Sequence, residues 1–105
     1  MNILILGDVM GASGRTALTS NLERIIKNKN INFTVVNGEN SADDGRGITK
    51  KIANEFFNCG VDVITSGNHI WDKNETIDLI QKENRLLRPA NLADGSPGNG
   101  FGIYD

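Results

Sequence analysis

The chain has 105 residues, 38% of them hydrophobic, with 12 glycines, which suits one α/β domain near the lower size limit and leaves no room for two. Lys plus Arg number 11 against 13 Asp plus Glu, a net charge of −2, so there is no basic footprint for duplex nucleic acid or an anionic membrane. A phosphate-bearing ligand would therefore rely on metal ions or backbone donors.

Cys59 is the one cysteine, which excludes an internal disulfide and fits a reducing compartment. No run approaches the ~20 apolar residues that span a bilayer. Met1 to Leu6 is too short and lacks the basic residues of a secretory signal, so a cytoplasmic location without a membrane partner is expected. The sequon Asn74-Glu75-Thr76 then reads as chance rather than a glycosylation site.

In chain order, Ile3 to Leu6 is a short all-apolar run ending at Gly7, the pattern of a strand buried in a parallel sheet. A loop is expected from Gly7 to Gly14, followed by a helix carrying Leu18, Leu22, Ile25 and Ile26 at helical spacing. Lys27 and Lys29 suit the negative end of its dipole. Phe33 to Val36 predicts a second strand ending at Asn37-Gly38. Thr49 is placed to cap a helix burying Ile52, Ala53, Phe56 and Phe57, and Gly60 to stop it. Val61 to Thr65 predicts a third strand. Asp72 with Glu75 resembles a capping box opening a helix that runs to about Lys82. Leu86 to Arg88 reads as a short fourth strand, and Phe101 to Tyr104 as the start of another. The alternation predicts right-handed β-α-β crossovers and a mostly parallel, doubly wound sheet flanked by helices.

Ligands of open α/β sheets bind beyond the carboxyl ends of the strands. Asp8 follows the first strand, Glu39 and Asn40 the second, Asn68 and His69 the third, with Gly7, Gly38 and Gly67 just before them. Singly, each has a plain alternative: Asp8 as a cap, Glu39-Asn40 as a solvated pair, Asn68 as an Asx-turn, His69 as a packed or surface residue. Their coincidence at three successive strand ends favours a metal site. Two divalent ions about 3.5 to 4 Å apart need a bridging oxygen, which Glu39 or Asp8 can supply. Neutral amide oxygens and an imidazole beside carboxylates suit Mn, Fe or Zn. The glycines Gly7, Gly11 and Gly14 match neither a dinucleotide fingerprint nor a Walker loop, although the loop with Arg15 leaves a metal-free phosphate site open as a rival reading. Trp71 could stack on a base or pack in the core, and Arg88-Pro89-Ala90-Asn91 could offer a guanidinium to phosphate or be a surface turn.

Gly7-Asp8-Val9-Met10-Gly11, Asn37-Gly38-Glu39-Asn40, Gly67-Asn68-His69-Ile70-Trp71-Asp72 and Arg88-Pro89-Ala90-Asn91, in this order, resemble the YmdB-like branch of the calcineurin-type metallophosphoesterases. The resemblance runs from Met1 to about Gly100. It implies the N-terminal part of a single four-layer α/β/β/α metallophosphoesterase domain, with residues 1–105 an apparently truncated portion of it. It further implies a phosphodiesterase acting on cyclic nucleotides, 2′,3′-cyclic ones among them, through two divalent ions, with Fe or Mn expected before Zn or Mg. Asp8 and Asn40 would bind one ion, Glu39 would bridge, Asn68 would bind the second, and His69 would be the catalytic proton donor. Met10 stands where the wider superfamily places a histidine, as this branch has it. The expected partners are a small phosphodiester or cyclic nucleotide, with RNA and a homo-oligomer also compatible. The branch completes its site with several further histidines, and His69 is the one histidine here, so the chain alone is expected to be inactive or nearly so.

Overall fold

β1 (Ile3–Asp8) and β2 (Phe33–Asn37) pair in parallel with Ile3 opposite Phe33 and Leu6 opposite Val36. The computed structural model describes residues 1–105. β3 (Val63–Thr65) pairs in parallel on the other side of β2, giving the order β1-β2-β3. It is shorter than the apolar run suggested, because Val61 bonds back to Phe56 and Asp62 accepts the Thr34 amide with its side chain. Beyond β3 the predicted fourth strand shrinks to a single parallel bridge, Ile64 to Leu86, with Leu87 N–H donating to Ile64 O at 2.9 Å.

The helices are α1 (Gly11–Lys29), α2 (Lys50–Cys59) and α3 (Asn74–Lys82), with a short 3-10 turn at Asn68–Trp71. Thr49 caps α2 as expected, its side chain accepting from the Ile52 amide, and Gly60 ends it at φ 117, a conformation that favours glycine. α1 begins at Gly11, so the anticipated eight-residue loop is reduced to Val9 and Met10. The capping box is likewise absent. Lys73 precedes α3 without a side-chain cap, and Glu75 accepts instead from the Lys50 amide, joining the starts of α2 and α3.

The sheet is not doubly wound. With strands in sequential order, crossovers of the usual right hand place α1 and α2 on the same face, and the two helices pack on each other. That face holds the core: Leu18 and Leu22 of α1, Ile52, Ala53 and Phe56 of α2, Val36 and Ile64 of the sheet, with Ile48, Ile70, Ile80 and Leu86 closing it. Fully burying one such side chain contributes about 1.5 to 3 kcal/mol. β1 is therefore not the buried strand its apolar run suggested: it is the edge strand and its opposite face is open, with Ile3 and Ile5 at 54% and 75% exposure. Phe101–Tyr104 forms no strand; Tyr104 packs its ring 6.0 Å from that of Phe33 and donates its hydroxyl to Asn84 O. No helix is long and apolar enough to cross a membrane.

Candidate functional site at the strand ends

Backbone geometry draws the ends of the three strands together. Between Leu6 and Asp8 the register of β1 shifts, so that Asp8, past Gly7, stands opposite Asn37. The next residue, Val9, donates its amide to Asn37 O at 3.1 Å, and Gly11 donates to Asn40 O at 3.0 Å. The loop after β1 is thus tied to the loop after β2 at two points, which sets Asp8 against Asn40.

The β2–α2 loop is itself tightly built. Gly38 N–H donates to Thr65 O, Ser41 Oγ donates to Gly38 O at 2.8 Å, and Ala42 N–H donates to Gly47 O. Gly38 can only be glycine without repacking, because a Cβ there would press on Ile64 and Ile48. Asn37 Oδ1 accepts from the Glu39 amide and turns the chain so that Glu39 and Asn40 follow directly on the strand end. Arg15 donates to Ser41 O at 2.6 Å and to Asp43 at 2.7 Å, holding α1 to the same loop. Two further ion pairs, Arg46 to Asp72 at 3.0 Å and Lys73 to Asp44 at 2.6 Å, hold the loop to the chain after β3. Lys73 keeps the Asp44 carboxyl below its ordinary range.

From the third strand end, buried Ile70 and core-packed Trp71 anchor the 3-10 turn and leave Asn68 exposed and His69 half-buried. Trp71 therefore serves packing. The Glu39 carboxylate lies directly over Gly67, where any Cβ would overlap it. Since Gly67 has an extended backbone, the need for glycine here is close approach, not conformation.

Four of the five expected residues meet through hydrogen bonds or short approaches. Asn40 Nδ2 donates to both Asp8 oxygens at 3.1 Å, and Asn40 Oδ1 lies 2.6 Å from His69 Nδ1. His69 Nδ1 is also 3.9 Å from Glu39 Oε2. Asn68 is next in sequence but makes no side-chain hydrogen bond to the others. A carboxylate can only accept, so Asp8 fixes the Asn40 amide with its NH₂ inward, and the amide oxygen then fixes Nδ1 of neutral His69 as the protonated nitrogen.

These side chains offer carboxylate and amide oxygens, which are metal-ligand types. No three His, Cys, Asp or Glu side chains form a group that could hold an ion by themselves. The oxygens of Asp8, Glu39 and Asn40 are nonetheless joined through Asn40 and His69, and an amide oxygen that accepts one hydrogen bond retains a second lone pair. The surface cleft that reaches Asp8 is an apolar groove of about 360 Å³ between β1 and α1, lined by Leu6, Leu18, Leu22 and Ile25. A polar cleft of about 390 Å³ lies beside the β2–α2 loop, where Arg15 and Lys73 are neutralised by Asp43 and Asp44. Arg15 is therefore committed to the loop, a role without local sequence signal because its partners lie 26 and 28 residues away.

A parallel α/β sheet with polar side chains converging beyond its carboxyl ends defines the class of fold in which ligands bind at strand termini. Residues 4–105 match the family model described as YmdB-like protein, and the chain belongs to this family. It is 43% identical over 101 residues to the 2′,3′-cyclic-nucleotide 2′-phosphodiesterase of Bacillus subtilis strain 168, which covers 96% of this chain and 38% of that protein. The crystal structure of a hypothetical protein from Thermus thermophilus superposes with a TM-score of 0.92 at 34% identity, covering all of this chain and 40% of that one. That of a novel phosphatase from Mycoplasma pneumoniae gives 0.85 at 29% identity, over 97% and 38%. The chain thus spans about two fifths of the length of these relatives.

Proposed function

We propose that Asp8, Glu39, Asn40, Asn68 and His69 are part of the site of a metal-dependent phosphodiesterase acting on cyclic nucleotides or related phosphodiesters. The observation that carries this reading is the Asn40 side chain, which joins Asp8 of the first strand end to His69 of the third. The name of the Bacillus subtilis relative supports the substrate class. Asp8 and Asn40 would hold one divalent ion, Asn68 the second, and Glu39 would bridge, with Fe or Mn the expected metals. When bound, such ions stabilise charge on phosphoryl oxygens and activate a water near neutral pH. One histidine and these oxygens are too few for two closed coordination shells, so further ligands would have to come from outside residues 1–105.

His69 is the proton donor in this reading. Asn40 engages Nδ1–H, so it is as the imidazolium that His69 would pass the Nε2 proton to a departing oxygen. Asp8 orients Asn40, and Gly67 gives the Glu39 carboxylate the space it occupies. A metal-free nucleotide-binding module is less well supported, since the glycine loop it needs is the start of α1 and Arg15 is engaged.

The test is hydrolysis of a 2′,3′-cyclic nucleotide and of bis(p-nitrophenyl) phosphate, with and without chelator, by a family member of the relatives' length carrying this segment. Mn- or Fe-dependent turnover that falls about 10²- to 10⁴-fold in His69→Ala with metal content unchanged is expected. Metal loss in that variant would make His69 a ligand, and turnover insensitive to chelator would defeat the reading.

A further inference from the structure

Arg88 lies outside the group just described, at the end of the segment that bridges to β3. Its backbone is firmly placed: Leu87 donates to Ile64 O, Ser66 Oγ donates to Leu87 O at 2.5 Å, and the Arg88 amide donates to Asn99 O at 2.9 Å. The residue therefore follows directly on the Ile64–Leu86 bridge, beside the end of β3.

The other arginines have side-chain partners. Arg15 pairs with Asp43, Arg46 with Asp72, Arg85 with Glu83, and Arg24 bonds to Asn21. Arg88 has no carboxylate; its one side-chain bond is from Nη1 to the neighbouring Pro89 O at 3.1 Å. Its Nε is buried and has no hydrogen-bond partner. A guanidinium stays charged at any physiological pH, and leaving a buried donor unpaired is costly. What Nε lacks is an acceptor, and an oxyanion suits the position because the guanidinium fork matches carboxylate or phosphoryl geometry.

We propose that Arg88 is an oxyanion-binding residue that receives phosphoryl oxygens beside the end of β3. Naming the anion as phosphoryl rests on the phosphodiesterase reading; the unsatisfied guanidinium does not. With a net charge of −2 over the chain, one unpaired, partly buried arginine is a local exception that would attract such a group.

The experiment titrates inorganic phosphate, and separately dimethyl phosphate, into the chain in the presence of EDTA, following the Arg88 Nε–H resonance by NMR. Arg88→Gln and Arg88→Lys are titrated in parallel, with circular dichroism to show that each remains folded. The Arg88 Nε–H signal is expected to move downfield on titration, and the affinity to weaken on the order of ten- to a hundredfold in Arg88→Gln, less in Arg88→Lys. A preference for dimethyl phosphate would identify the diester, and a preference for inorganic phosphate the product, as the anion received. No shift at Arg88, or unchanged affinity in a folded Arg88→Gln, overturns the proposal. Should Arg88→Gln unfold, the wild-type resonance and Arg88→Lys decide. The two readings fail separately: phosphate binding at Arg88 without metal-dependent hydrolysis by the family member of the relatives' length would remove the phosphodiesterase assignment alone, and hydrolysis by that protein without the Arg88 shift would remove this one alone.

Discussion

His69 Nδ1 lies 2.6 Å from Asn40 Oδ1, while the other end of the same amide meets both oxygens of Asp8 at 3.1 Å. One neutral side chain thus couples a carboxylate on the first strand end to an imidazole on the third. Neutral His69 is expected to be protonated at Nδ1, with Nε2 free. Long-range ¹H–¹⁵N correlation spectra of the imidazole report the tautomer. In Asn40→Ala the preference should be lost, and a wild-type spectrum showing the Nε2–H form would contradict the arrangement.

Gly67→Ala is expected to displace the Glu39 carboxylate, because a Cβ there would overlap it. The atoms in the way are the far end of a flexible side chain that can swing aside, so the cost should fall below the about 1 to 3 kcal/mol of overpacking a core. Gly67→Ala should lower the midpoint of denaturant unfolding only slightly, and Gly67→Ala with Glu39→Gly should recover most of the loss. A double variant no better than the single one would place the strain elsewhere.

Thr49→Ala removes the acceptor for the Ile52 amide at the start of α2. A loss of about 1 kcal/mol is expected, with Thr49→Ser and Thr49→Asp close to wild type, as measured by thermal unfolding. An unchanged midpoint in Thr49→Ala would mean that the Glu75 contact to Lys50 holds the helix start without the cap.

The Arg85 side chain holds the Glu83 carboxyl below its ordinary value of 4.5, first through their hydrogen bond. A depressed carboxyl adds stability that is present above its unfolded pKa and is lost as pH falls through the folded one. Thermal midpoints should therefore decline below about pH 4.5, less steeply in Glu83→Gln. Because Arg85 is largely exposed, the difference should shrink in high salt. Identical pH curves for the two proteins would show that the pair contributes nothing.

Local features of the fold were legible in the sequence wherever one stretch of chain decides them. The apolar runs of β1 and β2, the Thr49 cap and the Gly60 stop all follow from neighbouring residues, and the structure reproduces them. The sidedness of the sheet was not legible, since it depends on strand order, which no single β-α unit contains. Asp72 and Glu75 mimicked a capping box, but Arg46 and the Lys50 amide, both distant in sequence, claim those carboxylates. At the site, strand-end position alone identified Asp8, Glu39, Asn40 and His69 as neighbours. The bonds joining them span 29 and 32 residues and could not be read from local pattern, nor could the ties from Arg15. Asn68, equally marked by position, stands apart because buried Ile70 fixes a turn that leaves it exposed.

The most direct test of the central claim is Mn²⁺ titration of the isotopically labelled chain, reading paramagnetic broadening residue by residue. The metal-site reading predicts that Asp8, Glu39, Asn40, Asn68 and His69 broaden first, and that Asp8→Asn with Glu39→Gln abolishes this while leaving the fold intact. Broadening that begins instead at Asp43 and Asp44, or that persists at the strand ends in the double variant, would contradict it.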